Sequence, residues 1–172
     1  LISFSTERQI PTLSRYSMRK LVAKELEQYR IEKPKKKVYL FADEFTNIQE
    51  AELGLTFAKL LIRLGYMVEI PKHVESGRAA ISKGCLRYAK KFAIKNVQLL
   101  KENLSDNHPL IGIEPSCILS FRDDYPDLVP AEMRQEALAL AKNCLLYDEF
   151  LIKEIAEGNI SSDDFEDAKM KI

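Results

Sequence analysis

The chain has 172 residues, enough to bury one hydrophobic core and to form one domain with a short appendage. Its 26 Lys and Arg balance its 26 Asp and Glu, so the net charge is zero and whole-chain electrostatics single out neither nucleic acid nor an anionic membrane as a partner. An apolar share of 46% beside 30% charged residues is ordinary globular composition, with no run near the roughly 18 apolar residues of a membrane span, and Cys85, Cys117 and Cys144, without CxxC spacing, suit the reducing cytoplasm better than a disulfide framework or a zinc site.

Residues 1–16 carry no hydrophobic period and contain Pro11, which predicts an arm lying across a neighbouring surface. A short helix is expected over Met18–Tyr29, and residues 1–34 together read as arm and helix. The basic run Lys33-Pro34-Lys35-Lys36-Lys37 is either a solvated turn before a strand or a phosphate-binding patch.

Val38-Tyr39-Leu40-Phe41-Ala42 is apolar without alternation, the pattern of a parallel strand buried on both faces. Asp43-Glu44-Phe45-Thr46-Asn47 turns the chain, Asn47 is placed to cap the next helix, and Ala51, Leu55, Ala58 and Ile62 recur at helical spacing before Gly65. A second strand is predicted over Tyr66–Pro71, a helix along Leu86, Ala89, Ala93, Val97 and Leu100, and a third strand over Pro109–Ile113. Beyond Pro130 the reading is helical throughout: one helix over Ala131–Leu146, a second over Asp148–Ala156 and a last short one after Ser161-Ser162. The alternation predicts an α/β fold, a three-layer open parallel sheet of few strands, Rossmann-like, with extra C-terminal helices. It divides into an α/β unit over 35–129 and a helical segment over 130–172. Three strands are few for such a sheet, so a further half or a partner subunit is expected at an exposed edge.

Open parallel sheets bind ligands beyond the carboxyl ends of their strands, which draws together the loops 43–47, 72–84 and 114–124. The candidate residues there are Glu44, Thr46, Asn47, Glu75, Ser76, Gly77, Arg78, Lys83, Glu114, Ser116, Cys117 and Arg122. Pro115 suits the first turn of a helix, so Ser116 and Cys117 fall near its positive end. A thiol there ionises readily, as a metal or cluster ligand or a nucleophile requires, unless it is a small buried residue packed under the sheet. Cys85 and Cys144 read as core fillers on helix faces, His73 as a surface residue, and Arg122 as either a local partner of a neighbouring Asp or a residue at the cleft mouth. There is no GxGxxG, P-loop, HExxH, GxSxG or CxxCxxC pattern.

Glu75-Ser76-Gly77-Arg78 with Ser82-Lys83-Gly84, and Glu114-Pro115-Ser116-Cys117 with Arg122-Asp123-Asp124-Tyr125-Pro126, carry a resemblance. From Val38 to about Leu128 the chain resembles the cysteine-rich (CCG-type) domain of FAD-linked and iron–sulfur oxidoreductases. These include heterodisulfide reductase, glycolate oxidase, and D-lactate or D-2-hydroxyglutarate dehydrogenases. The resemblance implies the first of two repeats in a longer parent, with FAD and ferredoxin-like domains upstream, a second CCG repeat downstream, and FAD and [4Fe–4S] clusters as the parent's cofactors. In that family the second strand leads to a Cys-Cys-Gly-Arg-Pro motif. Here Glu44 stands near the first cysteine, Glu75 and Ser76 replace the pair, and Cys117 alone occupies a family ligand position. One thiol among hard carboxylates is a poor home for an iron–sulfur cluster, so no metal and no cofactor are expected in this chain. The expected function is a docking or electron-transfer scaffold for a 2-hydroxy-acid oxidoreductase, inactive alone, cytoplasmic, with peripheral attachment to a membrane through the parent complex. The alternative is a freestanding module that binds a small acidic metabolite or a protein partner. Neither reading calls for nucleic acid.

Overall fold

The computed structural model describes residues 12–29 and 31–165; residues 1–11 of the expected arm lie outside that range. Eight helices and four strands follow in the order α1 (Met18–Leu26), β1 (Lys37–Leu40), α2 (Ala51–Arg63), β2 (Met67–Glu69), α3 (Arg78–Ser82), α4 (Leu86–Leu100), β3 (Leu110–Gly112), α5 (Pro115–Asp123), α6 (Tyr125–Leu128), α7 (Arg134–Ala141), β4 (Cys144–Leu146) and α8 (Tyr147–Ala156). The strands form one parallel sheet in the order β2-β1-β3-β4. The α/β class and the open parallel sheet are as expected from the sequence.

Alternation along each strand divides the core in two. Val38 and Leu40 of β1 and Ile111 of β3 face one layer with α1, α2 and Phe150 of α8. Tyr39, Phe41, Leu110 and Cys144 face the other, with Ala93, Val97 and Leu100 of α4 and with α5 to α7. The chain leaves β1 for one side of the sheet and, after β2, returns past β1 to the other side to form β3. The strand order therefore reverses between β1 and β3, and a crevice opens there at their carboxyl ends. Gly112 is the contact point of β3 with α5: a β-carbon there would occupy the space of the Ile118 side chain.

Several expectations are corrected. The segment 131–146 is not one helix: α7 stops at Ala141, and Cys144–Leu146 pairs with Leu110–Gly112 as a fourth strand, so the segment after Pro130 adds to the same sheet. Cys144 is thus a buried strand residue, and Cys85, expected in a core, is exposed at the start of α4. The basic run is neither a bare solvated turn nor a phosphate patch. Lys35 Nζ donates to the Asn159 carbonyl at 2.7 Å, Lys37 pairs with Glu69 across β1 and β2, and Lys36 reaches the buried carboxylate of Glu154. Glu154 also accepts from Tyr66 Oη at 2.7 Å and Asn159 Nδ2 at 3.0 Å. A buried charge survives only when its oxygens are satisfied in this way, and the cluster fastens α8 to the start of β1.

Asn47 does not cap α2, whose N-cap residue Glu50 makes no side-chain bond and whose first N–H, on Ala51, donates to Ser14 Oγ at 3.3 Å. Asn47 Oδ1 accepts from Arg19 N at 3.2 Å and its carbonyl from Met18 N at 2.9 Å, so the first loop holds the start of α1. Ser14 also bonds to this loop, donating N–H to Ile48 O and its hydroxyl to Gln49 O. Among the described residues no helix is long and apolar enough to cross a membrane.

Candidate functional site: a hydrogen-bonded web where the loops converge

The first loop is shaped by Asp43. Its Oδ1 accepts from the N–H groups of Phe45 at 2.9 Å and Thr46 at 2.8 Å, a turn that short carboxylates favour. The side chain is fully buried, and Oδ2 has no hydrogen-bond partner. Burial pushes the Asp43 carboxyl above its ordinary value against the bonds from Thr46 and Phe45, with the Glu44 charge adding to the rise. The turn aims Glu44 at the second loop. There Glu44 Oε2 accepts from Ser76 N at 2.9 Å and Oε1 from Ser76 Oγ at 2.6 Å.

Ser76, fully buried, is the hub. Its hydroxyl also accepts from Arg78 N at 3.0 Å, and its carbonyl accepts from Tyr125 Oη at 2.8 Å. Tyr125 in turn accepts from Asn96 Nδ2 at 2.8 Å. The same Asn96 amide donates to the Glu75 carbonyl and accepts from Val74 N. Gly77 follows with φ +80°, a left-handed conformation that L side chains avoid, and starts α3. Phe41, Phe121 and Tyr125 stack beneath this web, with ring centroids 5.0 and 4.4 Å apart.

The third loop enters through Glu114, whose Oε1 caps α5 by accepting from Ser116 N at 3.2 Å and Ser116 Oγ at 2.7 Å. Cys117 lies on the inner side of that turn, fully buried and next to Ser76. Of the two readings the sequence leaves open for it, the small buried residue under the sheet is the one observed. Burial drives its pKa far up, the Ser76 hydroxyl opposes this weakly, and the charges of Glu44, Asp43 and Glu114 add to the rise. The helix N-terminus does not offset desolvation among three carboxylates, so Cys117 is a neutral thiol rather than a ready ligand or nucleophile.

Of the candidates, Glu44, Ser76, Gly77 and Cys117 converge, with Thr46, Glu75, Glu114 and Ser116 in the adjoining turns. Arg122 does not reach this centre: Nη1 donates to both oxygens of Glu149, at 2.9 and 2.7 Å, on α8. Burial would raise the Glu149 carboxyl, and the Arg122 bond and charge outweigh it and hold it below its ordinary value. Arg78 is turned toward Asp124 at 3.7 Å, and Lys83 is exposed at the end of α3. His73 is not a surface residue. Nε2 accepts from Ala42 N at 3.2 Å, Nδ1 donates to the Val74 carbonyl at 2.8 Å, and the ring packs on Phe41. Burial, with the Arg19 charge, pushes its pKa down to about 4 against the bond to Val74, so it is a neutral joint between β1 and the second loop. Asn96, Asp43 and Tyr125 are members of the web absent from the sequence-derived candidates. An Asn on the apolar stripe of α4 was the available signal for the first.

Beside the web, at the carboxyl ends of β1 and β3, lies a groove of about 340 Å³ lined by Thr46, Glu50, Phe57, Glu114, Pro115 and Tyr147 among others. Its charged lining groups are both carboxylates. The three helices that begin at its rim therefore present their positive ends to a site that already holds negative charge.

With this geometry described, comparisons locate the chain among known proteins. No protein-family model matches it, and no solved structure matches it. It is 28% identical over 160 residues to a D-2-hydroxyglutarate dehydrogenase of Pantoea ananatis, a match that covers 93% of this chain and 15% of that protein. It is 28% identical over 142 residues to the D-2-hydroxyglutarate dehydrogenase of Escherichia coli, covering 83% of this chain and 13% of that protein. Over 88 residues it is 32% identical to the Pseudomonas putida protein of the same name, covering 51% of this chain and 9% of that one. The chain is thus similar to a small part of dehydrogenases several times its length.

Proposed function

We propose that this chain is the α/β module of a larger FAD-linked oxidoreductase of the D-2-hydroxyglutarate dehydrogenase type, and that it serves there as a docking and electron-transfer scaffold rather than as the catalyst. The reading is supported by the similarity, which runs along most of this chain, and by the convergence of its loops at the carboxyl ends of a parallel sheet. The parent's FAD, its [4Fe–4S] clusters, its ferredoxin-like domain and a second repeat belong to the same proposal. So does a cytoplasmic location.

The residues present do not fit a thiolate-held cluster in this module. Cys117 is the lone thiol at the junction and is kept neutral, and both oxygens of Glu44 are committed to Ser76. The buried web from Glu44 through Ser76 to Tyr125 and Asn96 is the observation that carries the reading. It ties the first loop to the second, and the second to α4 and α6, with Cys117 of the third turn packed beside Ser76, where sulfur donors would otherwise hold iron. The alternative, a freestanding receptor for an acidic metabolite, has the weaker support: Arg122 and Arg78 face carboxylates, and the groove is lined by Glu50 and Glu114.

Two measurements test the proposal. The full-length protein is expected to show a flavin spectrum and to reduce an artificial acceptor with D-2-hydroxyglutarate, and a version lacking this module to keep its flavin but lose acceptor reduction. No flavin in the parent, or unchanged acceptor reduction after deletion, defeats it. Heat from D-2-hydroxyglutarate titrated into this chain alone would favour the receptor reading instead.

A further inference from the structure

Zero net charge conceals a segregation that the fold makes visible. From Gly77 to Lys101 the chain holds seven cations and no Asp or Glu. Arg78 faces Asp124 and Lys101 pairs with Glu136. Among the described residues, Lys83, Arg87, Lys90, Lys91 and Lys95 have no carboxylate within ion-pair distance, and all five are exposed.

The helix α4 explains their alignment. Ala89, Ala93, Asn96 and Val97 face the core, which leaves Arg87, Lys91 and Lys95 in one row at i, i+4 and i+8 on the opposite side. Like charges at that spacing disfavour a helix locally, so its own stability does not account for the row. Two large apolar side chains stand at its N-terminal end: Leu86, 55% exposed, and Tyr88, 62% exposed, with Lys91 Nζ 5.5 Å from the Tyr88 ring centre.

We infer that this face of α4 docks the chain onto an anionic phospholipid surface. The composition favours lipid over a protein partner, because four of the five cations are lysines, which are depleted at protein interfaces, whereas polybasic lysines gather at acidic bilayers. A Tyr and a Leu projecting from the cationic row supply what an interfacial contact needs beyond charge, since an aromatic ring with a polar tip settles at headgroup depth. A duplex nucleic acid has no comparable use for Leu86. The inference does not depend on the oxidoreductase reading, because it concerns a different face of the molecule.

The chain contains no Trp, so Tyr88→Trp installs a single reporter. Its emission is expected to shift to the blue with vesicles of phosphatidylglycerol and phosphatidylcholine at low salt, to stay unshifted with phosphatidylcholine alone, and to return as salt is added. Sedimentation with the same anionic vesicles should weaken about fivefold for Lys91→Gln. It should weaken roughly 100-fold for the triple variant Arg87→Gln/Lys91→Gln/Lys95→Gln, if each cation contributes independently. All three positions are exposed and their like charges disfavour the helix, so the urea midpoint of the triple variant should be no lower than that of the unsubstituted chain. Equal sedimentation with neutral vesicles, an undiminished triple variant, or an unshifted reporter in a chain retained on duplex DNA or polyglutamate overturns the inference. The flavin and acceptor assays of the full-length protein are unaffected by either result.

Discussion

Tyr125→Phe isolates the buried web with the loss of a single oxygen. That oxygen donates to the Ser76 carbonyl at 2.8 Å and accepts from Asn96 Nδ2 at 2.8 Å, and Tyr125, Ser76 and Asn96 are all fully buried. Removing it leaves one carbonyl without its donor and one amide N–H without an acceptor, while Asn96 keeps its bonds to Val74 and Glu75. Each orphaned buried group costs about 1–3 kcal/mol. The remaining ring still fills the space against Phe121, so a net loss of roughly 2–4 kcal/mol is expected. In a domain of this size that lowers the melting temperature by about 5–15 °C. Urea denaturation followed by far-UV circular dichroism should show a lower midpoint at unchanged slope. A double-mutant cycle with Asn96→Ala should then return a coupling of at least about 0.5 kcal/mol. A loss below about 0.5 kcal/mol, the level of an ordinary surface change, or strict additivity with Asn96→Ala, would refute the view that these bonds hold the second loop to the sheet.

Gly112→Ala is expected to destabilise by at least about 1–3 kcal/mol, because its β-carbon collides with the Ile118 core position; an unchanged urea midpoint speaks against that packing. His73 is pushed from 6.5 to about 4, so below pH 6.5 the unfolded chain takes up a proton that the folded chain refuses. This contribution to stability is intact above pH 6.5, falls by on the order of 3 kcal/mol as pH drops toward 4 and is flat below that. Subtracting the pH profile of His73→Gln from that of the parent should reveal the fall, and parallel profiles contradict the assignment. Brief iodoacetamide treatment of the native chain should modify Cys85 alone and, after unfolding, all three cysteines; mass spectrometry showing native modification of Cys117 refutes its burial. Glu154→Leu leaves the Tyr66 hydroxyl without its acceptor and Lys36 with only its longer pairing to Glu157 at 3.7 Å and is expected to cost about 1–3 kcal/mol, read as a lower urea midpoint.

Several elements were legible because a local pattern and the tertiary structure agree. Val38–Ala42 reads as a strand buried on both faces because its residues do face two cores, and the period of Ala89, Ala93, Val97 and Leu100 is that of the inner face of α4. The fourth strand was hidden by coincidence. Met133, Ala137, Leu140 and Cys144 fall at helical spacing, and a three-residue edge strand is too short to break such a pattern. At the site, the convergence of the three loops follows from topology, and topology follows from element order. What each side chain does there depends on partners far along the chain. Glu44 meets Ser76, Arg122 meets Glu149 and His73 meets Ala42 at separations of 27 to 32 residues. Cys117 shows the same limit: its helix position was readable and its burial was one of two open readings, whereas the three neighbouring carboxylates that raise its pKa further were not readable.

The central claim is that protein hydrogen bonds, rather than sulfur donors and iron, hold these loops together. Anaerobic reconstitution of the chain with ferrous iron and sulfide, followed by desalting and analysis of iron, sulfide and visible absorbance, tests it most directly. The account predicts far less than one iron per chain and no thiolate-to-iron absorption band, for wild type and for Cys117→Ala alike. About four irons per chain, with a cluster spectrum that Cys117→Ala abolishes, would contradict it.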